Sequence, residues 1–455
     1  MTVTAVLRAA AVATAAGLAL GGCAASEEPT GVDETTITVS YSKTDAFTAL
    51  DTLLTTAKEQ FEAAHTGVTV DLQPITATDD DYKTRLQLSL GSADTAPDVF
   101  YEDTFNVRSD VEAGFLLNLD DHLAGWDDWS LFDDGAKGAG QGADGSIYAL
   151  PLGTDTRVIW YNTHVLEAAG VGVPWQPTSW GDILDVAAAI RQSQPDVVPF
   201  SMYAGTGTGE GTVMQSFYEL LYGTGDGTGL FDDAAGKWVV ESPGFVDALD
   251  FLKTLYDSGY AVSPDRALDP NVWQAVFGEM FPEDTLGGTV EGSYTPSFWM
   301  EGGSYPWPEY GDVMGVALFP TQNGQDPGGV SMSGGWTLAA SAHTDEPDLA
   351  FEFITTALSK ENALWYAINN AQIAVRTDVA ADPTYLESNP FVADVSAAVA
   401  VTNFRPANSD YPQISVAVQE ATEAVITGQQ SPQEAAAAYD AAVRRIVGED
   451  QVIVP

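Results

Sequence analysis

The chain has 455 residues, 45% of them hydrophobic, with 17 Lys and Arg against 65 Asp and Glu, a formal net charge of -48. That length allows two sizeable cores at about 150 residues per domain. The charge argues against a nucleic-acid partner, since binding one means neutralising phosphates with Lys and Arg, and it favours a soluble monomer.

In chain order, the first feature is an apolar run over residues 9–20, preceded by Arg8 and ending in Leu20-Gly21-Gly22-Cys23. It is shorter than the ~20 apolar residues a membrane span needs, and it reads as the centre of a signal peptide over residues 1–22. The Leu-Gly-Gly-Cys ending resembles the bacterial lipobox. The resemblance implies that Cys23 is lipidated, that residues 23–35 tether it, and that the chain is held at the extracytoplasmic face of the cell membrane. Cys23 is the lone cysteine, so no disulfide competes for it. The alternative is ordinary signal cleavage beside an incidental thiol.

Strands and helices then alternate. Residues 36–41 alternate apolar and polar, as a strand does. Phe47, Leu50, Leu54, Ala57, Phe61 and Ala64 fall in steps of three and four, one stripe of a helix packed on a sheet. Residues 68–75 read as the next strand. Thr78 is placed to cap a second helix whose first turn holds Asp79, Asp80 and Asp81; the triplet fits that cap better than a metal site. Gly91 ends the helix, and residues 96–101 read as a third strand. This order predicts a parallel sheet with right-handed crossovers.

A second block opens near residues 145–151. Ser179 is expected to cap a helix running to about Gln192, and Ser242-Pro243 to open another that Gly259 closes. The Gly-rich turns at 205–211 and 223–229 carry neither the Lys of a phosphate loop nor a Gly-x-Gly-x-x-Gly between strand and helix, so nucleotide binding is not expected. The C-terminus reads as a helical hairpin broken at 428–430, which Ser431-Pro432-Gln433-Glu434 restarts with N-cap, N1 proline and capping-box Glu in register.

Read together, these segments resemble the family 1 extracellular solute-binding proteins, the sugar-capturing lipoproteins of bacterial ABC importers. The likeness is carried by Phe61-Glu62 with Gly67 before the second strand, Leu90-Gly91-Ser92 with Ala96-Pro97-Asp98-Val99, and Gly145-Ser146-Ile147-Tyr148-Ala149-Leu150-Pro151. It continues in Tyr161-Asn162, Thr178-Ser179-Trp180, Gly334-Gly335-Trp336 with Ala350-Phe351-Glu352-Phe353, and the break at Gly428. The chain departs from the family in Gly292-Ser293-Tyr294, with Tyr for Trp, and in Ala374, where Pro is common two before Arg376. The resemblance implies an α/β, two-lobed periplasmic-binding-protein-like fold (type II), each lobe a mainly parallel sheet flanked by helices, with the ligand cleft between them. Residues 36–152 plus 318–358 would form the N-terminal lobe, and 153–317 plus 359–455 the other. It further implies a small-molecule carbohydrate ligand, a di- or oligosaccharide, handed to the membrane permease of an ABC importer, with no cofactor, no metal and no catalysis.

A sugar offers C–H faces and hydroxyl edges, so its site needs aromatic plates beside carboxylate and guanidinium groups. In a parallel sheet such groups belong at the C-terminal ends of strands, which selects Tyr41, Glu102 and Asp103. Against this, Tyr41 can be a surface aromatic of its lobe, and the acidic pair can cap the segment at Asn106. Asp155 and Arg157 lie at the first crossing between lobes, two apart on one strand face, free to face the cleft or each other. Resemblance puts Asp155 where the family often has a sugar-binding acid, and Tyr294 and Trp336 in the segments that commonly present stacking rings; core packing is the other reading. Glu210 in a Gly-rich turn, Trp299 in a Gly/Pro/aromatic loop, and Arg376, Arg405 and Tyr411 from the late helices complete the set. Two other functions fit the composition: a polyamine or metal-chelate receptor, through cation–π and charge contacts, and a secreted glycosidase using paired carboxylates. No hydrolase motif is present, and only 4 His occur.

Overall fold

Ile37, Val39 and Tyr41 fall on one face of the first strand and are all buried, the period of two that its sequence predicts. The structure, a computed structural model, describes residues 35–44, 48–77 and 79–455, with backbone alone at 79 and 80. The expected leader, Cys23 and its lipid, the tether, Phe47 and the Thr78 cap lie outside the described residues.

The described chain runs β1 (Thr35–Ser42), α1 (Ala49–Ala64), β2 (Val68–Ile75), α2 (Asp79–Leu90), β3 (Val99–Asp103), β4 (Ala149–Thr154) and β5 (Arg157–Asn162). After α3 (Trp180–Ser193) and α4 (Pro243–Asp257) come β6 (Gly288–Gly292), β7 (Met314–Ala317), β8 (Gly329–Ser333) and β9 (Gly335–Ala340). The helices α5 (Pro347–Ala357), α6 (Lys360–Asn369), α7 (Tyr411–Ile426) and α8 (Pro432–Val447) follow. Capping boxes start α3 at Ser179 with Asp182 and α8 at Ser431 with Glu434, so both punctuation marks read from the sequence are used.

The first sheet has the order β2-β1-β3-β9-β4. It is parallel where the chain alternates strand and helix, β1 against β2 and β3. It turns antiparallel at β9, which inserts between β3 and β4 with Trp336 opposite Asp103. Its core gathers Val39, Leu54, Phe61, Leu150 and Phe353. The second sheet departs from the parallel one expected: β5 lies between β6 and β7 and is antiparallel to both. Outside the first sheet, parallel pairing is confined to short ladders of β8 with residues 402–404 and of 452–453 with 238–239, and to isolated bridges, Val198 to Leu286 and Ser201 to Thr289. Pro199 sits between them without an N–H to continue a ladder.

The cores also divide differently from the expected lobes. Phe319 and Met332 pack in the larger core, and the chain joins the first sheet only at Gly335. Tyr366 of α6 and Val375, expected with the second lobe, pack in the smaller core. Gly335 is needed where it enters: its φ is +143°, and a Cβ there would lie 2.6 Å from the Gly153 carbonyl oxygen.

Three of the candidate ligand residues prove structural. Tyr41 shares the buried face of β1, and its hydroxyl donates to Asp51 at 2.5 Å, so it is neither a surface aromatic nor in a cleft. Arg376 is buried on the first core, its guanidinium held by both Asp378 oxygens at 3.0 Å, the Leu358 carbonyl at 2.9 Å and Asp128 at 3.0 Å. Trp299 is 1% exposed. Its indole N–H donates to the Phe277 carbonyl at 3.0 Å, and Trp160, Phe281 and Trp307 ring it at centroid distances of 5.4–5.9 Å. Trp299→Ala is therefore expected to cost about 3–5 kcal/mol. A urea melt measures it, and an unshifted midpoint would put the ring outside the core.

Candidate functional site

Two chain crossings run side by side between the sheets, β4 to β5 through Asp155 and Thr156, and β8 to β9 through Gly334. They are bonded to each other throughout. Ser333 Oγ donates to the Asp155 carbonyl at 2.7 Å, and Thr154 Oγ1 donates to the Gly334 carbonyl at 3.0 Å. The Arg157 backbone N–H donates to Ser331 Oγ at 2.9 Å. A third crossing joins them where Ile373 N–H donates to the Thr154 carbonyl at 2.9 Å.

These bonds fix Asp155. Its Oδ1 accepts from the Gly334 N–H at 2.7 Å and from the Arg157 guanidinium, so acid and base pair as their two-residue spacing allowed. Tyr294 lies across the same arginine, 5.8 Å from guanidinium carbon to ring centroid, and its hydroxyl accepts from Gln215 at 2.9 Å.

A second arginine meets this group from another side. Arg405 donates to Asp103 at 2.7 Å and to Glu210 at 3.4 Å, and its guanidinium carbon lies 4.1 Å from the Phe105 ring centroid. Asp103 and Phe105 follow β3 in the first sheet, whereas Glu210 belongs to the helical segment packed in the larger core, so Arg405 bridges the two. Glu210 is gripped further by the Tyr411 hydroxyl at 2.5 Å and by Ser415. Burial raises the Glu210 pKa, opposed by Arg405 and by both hydroxyls. A Cβ placed on Gly334 would lie 3.6 Å from Arg405 Nη2, 3.8 Å from Arg157 Nη1 and 3.5 Å from Asp155 Oδ1. Both guanidiniums thus converge beside one residue that has no side chain to block them.

The structure therefore brings Asp103, Asp155, Arg157, Glu210, Tyr294, Arg405 and Tyr411 together. Trp336 is half-buried beside Asp103 but stacks on Tyr101, 4.4 Å between centroids and 4° between planes, so its ring is engaged within the first sheet. Glu102 does not join the group. It points to the opposite face of β3 with Phe100, and burial together with the nearby Asp110 carboxyl raises its pKa well above the usual range. Of the adjacent pair, Asp103 alone reaches the arginine. Among the described residues, no group of His, Cys, Asp and Glu is arranged to hold a metal ion.

Phe105, Ser415, Glu219 and Glu291 escaped the sequence reading. The last two carried a signal: each is the single acid of a buried apolar run, Glu219 in Tyr218–Gly223 and Glu291 in β6. Burial pushes Glu219 up to about 8 and Glu291 to about 7, against the pull of Arg157 on both. Glu291 also accepts from the Tyr203 hydroxyl at 2.5 Å.

A model of the bacterial extracellular solute-binding proteins matches residues 56–394. The chain belongs to that family. A Deinococcus radiodurans protein named "Probable ABC transporter-binding protein" is 27% identical over 320 residues, 67% of this chain and 70% of its own length. Among solved structures, the GacH receptor of Streptomyces glaucescens, studied unliganded and with acarbose, matches with a TM-score of 0.75 and 24% identity over 91% of this chain and 99% of its own. Maltose-bound MalE3 of Thermotoga maritima matches with a TM-score of 0.75 and 23% identity over 91% of this chain and 100% of its own. The two-lobed fold of these solute-binding proteins is the fold of this chain. Among the described residues no helix is long and apolar enough to cross a membrane.

In this solute-binding protein the buried acids make stability depend on pH. Between an unfolded value near 4.5 and the folded value of about 8, the native chain holds a proton on Glu219 that the unfolded chain has released. That contribution is full below the lower value and is lost as pH rises toward the upper one. Glu219→Gln keeps the neutral shape, so its melting temperature should fall less than that of the parent protein as pH rises through this window. Equal slopes would mean that Glu219 is ionised in the native state.

Proposed function

We propose that this protein captures a neutral saccharide, a di- or oligosaccharide, between its lobes and delivers it to the permease of an ABC importer without altering it. The observation that carries the reading is the convergence of Arg157 and Arg405 beside Gly334, with carboxylates and rings supplied from both sheets. Planar guanidiniums give forked donors and carboxylates give acceptors, the pairing that vicinal hydroxyls require. Tyr294 adds a ring face for the apolar side of a pyranose and a phenol beside it, while the buried Tyr411 holds Glu210 in place. Acarbose and maltose, the ligands of the GacH and MalE3 structures, are of this class.

Charge balance favours a neutral ligand over a polyamine. Three carboxylates, Asp103, Asp155 and Glu210, face two guanidiniums, and burial favours the neutral form of Glu219 and Glu291. Little net negative charge is left to hold a multivalent cation. A ligand touching both lobes stabilises the closed arrangement alone, so binding shifts the hinge and the permease reads closure as loading. In this reading residues 35–152 with β9, α5 and α6 act as one lobe and the larger core as the other. The chain works as a monomer, and Cys23 carries the lipid that keeps it near its permease.

Thermal shift with maltose, maltotriose, acarbose and spermidine tests the ligand class. A ligand at 100 times its Kd adds ~2.7 kcal/mol to stability. Stabilisation by spermidine alone would sink the saccharide reading, and a trisaccharide shortened during incubation would sink the absence of catalysis. Arg405→Gln should weaken saccharide binding by roughly ten- to a hundredfold, the loss of about 1.5–3 kcal/mol of charged hydrogen bonding. Isothermal titration calorimetry reads it, and unchanged affinity would remove Arg405 from the site.

A further inference from the structure

A cavity of about 170 Å³ opens between segments of the two lobes. The first lobe supplies Thr52 near the start of α1, Trp365 from the middle of α6 and Asn370 just after its end; the second supplies Ser297, Met300 and Glu301. Its lining is joined to the Gly334 cluster along the chain on two sides. The Ser297 N–H donates to the Tyr294 carbonyl at 2.9 Å within one turn. Two residues past Asn370, Gln372 packs on Gly153, where a Cβ would lie 3.0 Å from it, and Ile373 pairs with Thr154.

Trp365 gives the cavity its character. The helix α6 buries Ala363, Tyr366 and Ala367 and leaves Trp365 36% exposed. The indole N–H of Trp160, Trp180 and Trp299 each donates to a backbone carbonyl at 3.0–3.2 Å. That of Trp365 makes no such bond among the described residues. The half-exposed ring thus offers an apolar face to stack on and an N–H that a ligand hydroxyl can accept from. The other groups are hydroxyls, amides and a thioether, and in a chain of net charge -48 the only charged group among the described residues lining the cavity is the exposed Glu301. The loop holding Met300 and Glu301 is shaped by glycine: Gly302 has φ +91°, and a Cβ on Gly303 would lie 2.3 Å from the Ser297 carbonyl oxygen. The volume is well under the ~300 Å³ at which whole small-molecule sites begin, so it suits a single ring rather than a complete ligand.

We propose that this cavity is an outer subsite that takes one further pyranose ring of a saccharide whose neighbouring unit lies against Tyr294 and Arg157, with Trp365 as its stacking plate. The inference rests on the saccharide reading and deepens it: the ligand then has at least three units. Because both lobes line the cavity, the ring it holds also favours closure.

The test is calorimetric titration of maltose, maltotriose and mannotriose into the parent protein, Trp365→Ala and Trp365→Phe, each first checked by its melting curve. The expected result is a trisaccharide bound more tightly than maltose by the parent. Trp365→Ala should bind that trisaccharide roughly tenfold more weakly, maltose should change less than twofold, and Trp365→Phe should recover most of the loss. A trisaccharide held equally by the parent and Trp365→Ala, or no gain over maltose in the parent, overturns the outer subsite and leaves saccharide capture standing. If none of the three sugars binds the parent at millimolar concentration, the saccharide reading itself falls, and the subsite with it.

Discussion

The carboxylate of Asp155 bonds at once to a backbone N–H on the returning crossing and to the Arg157 guanidinium on its own strand. This one side chain ties the crossings between the sheets to the buried arginine cluster, because the segment that passes between the sheets also carries Asp155 and Arg157. The surrounding bonds leave it little freedom: Ser333 holds its carbonyl, Ser331 holds Arg157, and Thr154 is paired to Ile373. Around Asp155 the crossings bond through backbone and small hydroxyls, and Gly334 leaves the guanidiniums unobstructed, while Gly335 lets its chain pass close against Gly153. The position of the cluster follows from where the chain must pass between sheets.

Electrostatics then sets what that position can hold. Only 17 of the 455 residues are basic, yet two arginines are buried at the junction with acids on every side. In a low dielectric an unpaired guanidinium there would be very costly, so each is matched by a carboxylate, and surplus acids respond by taking up a proton. Glu219 and Glu291, pushed up to about 8 and about 7, relieve the excess negative charge without leaving the interior. The outer surface, where charges are solvated and screened, carries the rest of the acidity at little cost.

Local pattern was legible where local physics decided the outcome. The bounds of β2, the Ser179 cap and the Ser431 capping box followed from periodicity and cap chemistry, and the buried stripe of α1 keeps Leu50, Leu54, Ala57 and Phe61, gains Ala49 and Leu53, and leaves Ala64 exposed. The insertion of β9 between β3 and β4 was not legible, since nothing near Trp336 encodes a partner as distant in the chain as Asp103. Strand parity could have sorted the site residues better than strand ends did. Tyr41 shares its face with Ile37 and Val39, and Glu102 shares its face with Phe100, so both point into packed layers, while Asp103 points at the arginine. Trp299 and Arg376 were misread for a related reason: residue type shows what a side chain can do, and only the fold shows what surrounds it. Cys23 remains a reading of sequence alone.

Arg405 couples these strands of argument. Its two acidic partners belong to different parts of the fold, Asp103 to the first sheet and Glu210 to the segment packed in the larger core, so on the proposed reading the ion pairs that would orient it for a ligand also tie the two parts together. Binding energy and closure energy therefore reside partly in the same groups. A ligand hydroxyl that takes over one of these bonds exchanges one contact for another, and its net gain lies in whatever it adds elsewhere in the cleft. Ring faces supply that addition, since stacking competes with no hydrogen bond already made. Polar groups fix the orientation of the ligand, and the aromatic area it covers along the cleft decides how tightly it is held.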